Sequence, residues 1–95
     1  MEPLWKIRSG TFAGCRIDDR LYDASGENVG YFIDDVAYSL NGKYIGELYS
    51  GDWIGKRSGV SHGSQGGRIG TVGIAASRYA DRAGISLTGW EDPHY

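Results

Sequence analysis

Residues 15–30, CRIDDRLYDASGENVG, and residues 31–46, YFIDDVAYSLNGKYIG, decide the fold, because the second stretch repeats the first. Six of the sixteen aligned positions are identical. They are Ile17 with Ile33, Asp18 with Asp34, Asp19 with Asp35, Tyr22 with Tyr38, Gly26 with Gly42, and Gly30 with Gly46. A fixed step of this kind predicts a repeat architecture, in which each unit buries its apolar face against its neighbours.

The centre of each unit is the pattern Gly-x-x-apolar-Gly. Its copies begin at Gly10, Gly26, Gly42, Gly51 and Gly66, so the steps are 16, 16, 9 and 15 residues. The first three copies are regular, the fourth is shortened, and the fifth is the least regular. Sixteen residues are too few for a pair of helices and suit two short strands with two turns.

Turn residues divide the repeats into strands. Asn41-Gly42 is a strong hairpin signal because both residues tolerate positive φ, and Ser25-Gly26 holds the same place one unit earlier. Asp18-Asp19 and Asp34-Asp35 mark the other end of each unit, where aspartate side chains cap their own backbone. We therefore predict strands over residues 11–17, 20–23, 27–33, 36–40, 43–49 and 53–57.

Alternation along these strands predicts one core face. Its residues are Ala13, Cys15, Ile17, Val29, Tyr31, Ile33, Ile45, Glu47 and Tyr49, with Glu47 as the exception to its apolar character. The second glycine of each unit lies in mid-strand, where glycine marks a bulge, a bend or a close backbone contact. Equally spaced bends favour a mainly β fold in which repeated hairpins form a closed, ring-like assembly.

The last third of the chain departs from the repeat. The chain is read as one β-repeat domain, 1–95, with regular repeats over 4–57, a Gly/Ser-rich loop over 58–67 and an irregular part over 68–95. Residues 74–83 predict a short helix that ends at Gly84, and residues 85–87 predict a last strand. Trp90 is expected to anchor the tail by packing.

Composition limits the function classes. The net charge of −2 does not favour a nucleic-acid binder, although residues 56–82 carry five basic groups against Asp81 alone. The 16 glycines show no Gly-X-Y period that would indicate collagen. The single cysteine, Cys15, forms no intrachain disulfide and suits a reducing compartment. Because no signal-peptide pattern or membrane-length apolar run is present, we expect a cytoplasmic protein.

The stretches LYDASGENVGYFIDD (21–35) and AYSLNGKYIGELYSGDWIGKRSG (37–59) resemble the bacterial 4-fold β-flower family. The shared features are the Tyr-x-x-x-Gly-x-x-apolar-Gly rhythm, the sixteen-residue step and the shortened Trp-Ile-Gly unit. The resemblance covers about residues 4–57. It implies four β hairpins arranged like petals and implies no activity or site residues.

The sequence contains no coherent catalytic or metal-binding set. Each acidic turn offers only two carboxylates, fewer than a calcium site needs, and the two histidines and one cysteine have no zinc spacing. No Gly-x-Ser-x-Gly motif is present. We therefore predict no cofactor and no metal, and a non-enzymatic protein is favoured over an enzyme.

Two hypotheses of function remain. The first is an interaction module that binds a protein partner or itself, such as an accessory or inhibitor protein, through the aromatic residues Tyr31, Tyr44 and Trp53. The alternative is a binder of, or an enzyme acting on, a small phosphorylated ligand such as a nucleotide. It would use Lys56, Arg57 and Arg68, because these cations lie beside flexible glycine backbone.

Overall fold

A computed structural model describes residues 1–60, 62–75 and 78–95, and these contain strands and no helix. The strands, in chain order, are β1 (Glu2–Lys6), β2 (Phe12–Ile17), β3 (Arg20–Tyr22), β4 (Asn28–Ile33), β5 (Val36–Ser39), β6 (Tyr44–Tyr49), β7 (Trp53–Arg57) and β8 (Trp90–Glu91). The six predicted strands are therefore present, within a residue of their predicted bounds. Strands β1 and β8 were not predicted.

The first seven strands form a closed sheet, called the ring below. Each strand pairs antiparallel with the next along the chain, and β1 closes the ring by pairing parallel with β7, Trp5 opposite Trp53. The molecule is flat, with extents of 34 × 32 × 18 Å. The predicted mainly β, closed assembly of repeated hairpins is confirmed. Because β1 and β7 pair with each other at this seam, neither has a free edge there with which a strand of another chain could pair.

A β-bulge interrupts three of the hairpins at equivalent places. Across β1–β2, β3–β4 and β5–β6 the register shifts, and the extra residues are Ala13, Val29 and Ile45. Each directly precedes the second glycine of its unit. A Cβ on Gly14 would lie 1.9 Å from the Tyr22 carbonyl oxygen. The repeated mid-strand glycines therefore mark bulges and close backbone contacts, as their spacing predicts.

The predicted core face is wrong at some positions because of these bulges. Because each bulge adds one residue, the alternation after it shifts by one position. Phe32 is thus buried in the core, whereas Ile33 and Tyr49 are 40% and 36% exposed. The buried core cluster consists of Leu4, Ala13, Leu21, Phe32, Ala37, Ile45 and Ile54. Cys15, Tyr31 and Glu47 are buried too, but they lie outside that cluster.

The strands form four hairpins. The fourth hairpin is made from distant parts of the chain. Equivalent main-chain hydrogen bonds close them, from Lys6 to Thr11, Asp23 to Glu27, Ser39 to Lys43 and Ser58 to Gly89. In the fourth hairpin β7 pairs with β8, with Arg57 opposite Trp90. The chain therefore leaves the ring after Ser58 and returns to it at Gly89.

The connecting segment runs round the rim and is called the strap (residues 62–75 and 78–85). The amides of Gln65, Ile74 and Arg82 each donate to a turn glycine carbonyl, Gly42, Gly26 and Gly10 respectively, at 2.8 Å in every case. These three glycines have φ between 75° and 88°. A Cβ on any of them would lie 1.8–2.2 Å from a strap carbonyl oxygen. The first glycine of each of the three regular repeats therefore binds the strap, and these glycines are called the strap seats below.

The strap replaces two predicted elements. The helix over 74–83 is wrong for residues 74, 75 and 78–83, and Ala76 and Ser77 lie outside the described residues. Its amides bond to ring carbonyls, so tertiary contacts override local helix propensity. The strand over 85–87 is also wrong, since the last strand is β8. The predicted loop over 58–67 is irregular where described, with Ser61 outside the described residues.

The C-terminal third of the chain thus has two roles. The strap covers the rim, and β8 completes the fourth hairpin. Trp90 packs against the Tyr49 ring at a centroid distance of 5.5 Å, as expected for an anchor of the tail. A search of the described residues for an apolar helix long enough to cross a membrane finds none.

Candidate interaction surface

Arg68 fastens the strap to the ring by stacking and by charge. Its guanidinium lies 4.1 Å from the centre of the Tyr31 ring, and its Nη1 lies 2.6 Å from Asp19 Oδ2. The hydrogen bond from Arg68 lowers the pKa of the Asp19 carboxyl below its ordinary value of 3.8. Arginine suits this position because its planar guanidinium stacks on an aromatic face while donating to a carboxylate.

Arg82 repeats the arrangement at the other end of the strap. Its guanidinium lies 3.5 Å from the Trp5 ring centre and 5.6 Å from that of Trp53. Its Nη1 lies 2.7 Å from Asp52 Oδ2. The indole of Trp5 also donates to the carbonyl of Ala80 at 2.9 Å. Arg68 and Arg82, called the two arginine clasps below, therefore each join the strap to a carboxylate and an aromatic ring of the ring strands or their turns.

Glu47 forms a third junction, where the strap begins. It is 9% exposed and holds the repeat position that Cys15 and Tyr31 occupy in the other units. Its Oε1 lies 2.5 Å from Arg57 Nε, and its Oε2 lies 3.4 Å from His62 Nε2. A buried carboxylate needs such partners, because leaving it unpaired is strongly destabilising.

Tyr44 lies beside this junction. Its ring centroid is 4.6 Å from that of His62, and the Lys56 ammonium lies 6.0 Å from its centre. Within the described part of the chain, the Tyr44 hydroxyl and His62 Nε2 are buried and make no hydrogen bond, so the 3.4 Å approach of His62 Nε2 to Glu47 is a close contact and not a hydrogen bond. Burial raises the pKa of the Tyr44 hydroxyl, and the nearby Glu47 carboxylate raises it further. The ionised form of Tyr44 is therefore disfavoured at neutral pH.

The three residues predicted to bind an anion have separate environments. Arg57 pairs with Glu47 and Arg68 pairs with Asp19, while Lys56 lies near the Tyr44 ring. Much of the local excess of basic groups in residues 56–82 is thus neutralised by carboxylates of the ring. The excess has a structural use, which is to attach the strap.

The three predicted partner-binding aromatics also differ. Tyr31 is 1% exposed beneath Arg68, and its hydroxyl donates to the carbonyl of Gly66 at 2.6 Å. The expectation that it lines a surface is corrected, because the strap covers it. Tyr44 and Trp53 are half-buried, and each presents part of its ring to solvent.

A period of three residues governs the middle of the strap. Gly67, Gly70 and Gly73 begin successive triplets, Gly-Arg-Ile, Gly-Thr-Val and Gly-Ile-Ala. A Cβ on these glycines would lie 3.2, 3.1 and 3.0 Å respectively from ring atoms, tighter than most real contacts. Three residues per turn is the period of a polyproline II helix, which has no internal hydrogen bonds and leaves its backbone free to bond elsewhere.

The second residue of each triplet contacts the ring. These residues are Arg68, which stacks on Tyr31, Thr71, whose hydroxyl shares a 3.0 Å hydrogen bond with Tyr22, and Ile74, whose amide bonds to Gly26. The backbone is held as well, because Arg20 Nη1 donates to the carbonyl of Ile69 at 2.9 Å. This side of the strap is therefore fixed.

The third residue of the first two triplets faces solvent. Ile69 and Val72, called the outer row below, are each 90% exposed. These are two large β-branched side chains, three residues apart on a fixed segment. They form the most exposed apolar feature among the described residues. Exposed apolar groups on a fixed scaffold are typical of interaction sites.

An open groove lies beside the seam where β1 meets β7. It has a volume of about 380 Å³ and is lined by Met1, Glu2, Pro3, Trp5, Ser50, Gly51, Asp52 and Arg82. Tyr79 packs against Trp5 at a centroid distance of 6.0 Å and is 42% exposed. This seam groove thus has an aromatic and apolar floor with charged groups at its border. No group of three His, Cys, Asp or Glu side chains suited to a metal occurs in the described ranges.

A comparison with protein families shows which family the chain belongs to. The family model described as 4-fold beta flower protein matches residues 7–82. The chain belongs to this family. The match extends past residue 57, so the resemblance seen over residues 4–57 was too short and most of the strap is part of the β-flower pattern. No curated protein and no solved structure matches the chain.

Sequence reasoning missed the outer row of this β-flower protein. The signal was present, because glycine recurs at every third residue from Gly67 to Gly73. Over the whole chain this period is diluted by glycines that serve turns and bulges. The seam groove had no comparable signal, since residues 50–52 and Arg82 meet Trp5 only through ring closure and strap wrapping.

Proposed function

We propose that this β-flower protein is a non-enzymatic interaction module that binds a protein partner through the outer row. The observation that carries the proposal is the 90% exposure of both Ile69 and Val72. Because both side chains remain almost fully exposed, they contribute little apolar burial to the folded chain. Burying them against a partner would supply apolar contact area.

The attachment of the strap supports this proposal. Anchors flank the outer row on both sides, at Gln65 on Gly42 and at Ile74 on Gly26. β-branched side chains also have few rotamers to lose on binding. Binding through a row that is already held in one arrangement loses less conformational entropy than binding through a mobile loop.

Phosphate binding by Lys56, Arg57 and Arg68 has less support. The two guanidiniums already donate to carboxylates at 2.5 and 2.6 Å. A phosphate would have to replace Glu47 or Asp19, and the strap would lose an attachment. A thermal-shift screen with nucleotides and inorganic phosphate tests this alternative, which requires stabilisation by the nucleotide beyond that caused by unrelated anions.

Crosslinking tests the interaction proposal. A photoreactive residue at position 66, three residues before Ile69, is expected to capture a protein from the source cells, because a Cβ there meets nothing within 4 Å. The double variant Ile69→Ser/Val72→Ser should abolish this capture while leaving the unfolding midpoint within a degree or two, because both side chains are exposed. The matched control is Ile33→Ser, which removes a partly exposed isoleucine on β4 and should leave capture unchanged. Capture that persists undiminished in the double variant would contradict the proposal.

A further inference from the structure

We infer that a second copy of this chain is a partner, and that the outer row of one copy enters the seam groove of the next. The inference rests on the proposed role of the outer row and adds the identity of the surface that receives it. Both surfaces are on the described part of the chain. One is a pair of exposed branched aliphatic side chains, and the other is an open groove with Pro3 and Trp5 in its lining.

The composition of the groove fits such a guest. Its volume of about 380 Å³ gives room for two aliphatic side chains, and Met1, Pro3 and Trp5 supply apolar contacts. Trp5 and Arg82 line the groove, and Tyr79 packs on Trp5 beside it. Trp, Tyr and Arg are the residue types that dominate binding energy at protein interfaces. Arg82 is already held by Asp52, so it is pre-positioned rather than free to fold into the groove.

Charge around the two surfaces is complementary. At the groove Asp52 is paired with Arg82, and Glu2 adds a further carboxylate. Beside the outer row Arg68 is paired with Asp19, and Arg20, which donates to the Ile69 carbonyl, adds a further guanidinium. Oppositely charged borders orient a docking row and penalise the reverse arrangement. Association should therefore weaken as salt is added.

A chain does not fill its own groove with its own outer row. The row is fixed between the Gly42 and Gly26 turns, whereas the groove is formed by the start of β1, the β6–β7 turn and Arg82 at the Gly10 turn. The contact is therefore between copies, and it joins two different surfaces. Such a heterologous contact leaves one free row and one free groove on every open assembly, so copies add until the rotation closes a ring, or form open chains if it does not.

This geometry permits a complementation test with two variants of the full chain. The row variant is Ile69→Ser/Val72→Ser, and the groove variant is Glu2→Trp, which places an indole at an exposed lining position. Tyr79→Ser, at the border of the groove, is a second groove variant in case the first perturbs β1. Circular dichroism and thermal unfolding confirm that each variant is folded before sedimentation velocity is measured.

The wild-type chain is expected to form assemblies that grow with concentration, while each variant alone remains a monomer. An equimolar mixture of row and groove variants should form dimers and nothing larger, because only one intact row and one intact groove are present in each pair. A wild-type chain that remains a monomer up to millimolar concentration overturns the inference, as does a mixture that remains monomeric. If such a monomer still captures another protein through the outer row, the proposed function stands and only the self-partner is wrong.

Discussion

The ring and the strap use glycine for different purposes. In the ring, Gly14 and Gly30 lie at bulges, where a carbonyl of the neighbouring strand occupies the place of a side chain. In the strap, Gly67 and Gly70 let an irregular segment approach the ring without a ladder of hydrogen bonds. The comparison teaches that the repeat builds a scaffold whose turn glycines then receive the part of the chain that lacks the repeat.

The two regions are also held by different forces. Ring strands are joined by main-chain ladders around one apolar cluster. The described part of the strap is held by five spaced main-chain bonds, two arginine clasps and the Glu47 junction. Because ladder contacts are cooperative and spaced contacts are not, we expect the strap to open at lower free energy than the ring.

The largest effect should come from breaking a ring glycine. Gly14→Ala places a methyl group 1.9 Å from the Tyr22 carbonyl oxygen, at a φ of 125° that alanine rarely adopts. The overpacking and backbone strain together should cost about 4 kcal/mol or more, a large part of the stability of a small domain. Urea unfolding measures the loss. The control is Gly63→Ala, which meets nothing within 4 Å and has no positive φ, and an equal loss in both variants would contradict the assignment.

A strap seat should be less sensitive than a bulge. In Gly42→Ala the new methyl group would lie 1.9 Å from the Gln65 carbonyl oxygen, but the strap can move away while the ring remains closed. We expect a loss of about 2 kcal/mol, smaller than for Gly14→Ala. Urea unfolding compares the two, and limited proteolysis should cleave the variant first within residues 62–67. Cleavage that begins in the ring would show that the seat does not hold the strap.

The junction at Glu47 should contribute less again. Glu47→Gln keeps the size of the side chain and removes the charge that faces Arg57 and His62. Since Arg57 is 44% exposed and solvent screens the pair, we expect a loss of about 1–2 kcal/mol. Thermal unfolding measures it, with Glu91→Gln at an exposed position as the control. A loss equal to that of the control would mean that the buried carboxylate adds no stability.

The smallest effect should be that of pH on the Asp19 clasp. The pKa of Asp19 is lowered in the folded chain, so its ionised form stabilises the fold above the ordinary value of 3.8. That contribution is lost as the pH falls through the lowered pKa, when the carboxyl becomes protonated in both states. Wild type should therefore unfold at a slightly higher temperature than Asp19→Asn at pH 6, and the gap should close in strong acid. A gap that is independent of pH would contradict the ion pair.

The sequence predicts the ring well because its determinants are local. Turn residues such as Asn41-Gly42 and Asp34-Asp35 lie next to the strands they connect, and the sixteen-residue step repeats them. The core face is predicted wrongly at Ile33 and Tyr49, because one residue added at each bulge changes which side chains point inward. An alternating pattern of apolar and polar residues does not show where one residue has been inserted, so it does not predict which side chains change face.

The strap could not be predicted, since its contacts are far away along the chain. Residues 74–83 have local helix propensity, yet the amides of Ile74 and Arg82 bond to turns about 50 and 70 residues earlier. For the same reason Arg57 and Arg68 looked available to an anion, although each has a carboxylate partner on the ring. The partner-binding role of Trp53 stays a prediction, and its contact with Arg82, 29 residues later in the chain, could not be predicted from local sequence.

Amide hydrogen exchange of the wild-type chain, followed by NMR at neutral pH, tests the central claim that the strap is seated on the turn glycines. The amides of Gln65, Ile74 and Arg82 should be protected, while the neighbouring amide of Val72 should exchange at nearly the rate of an unfolded chain. The protection of all three should be lower than that of Leu21 in the ring core. Rapid exchange at the three seat amides, equal to that of Val72, would contradict the account.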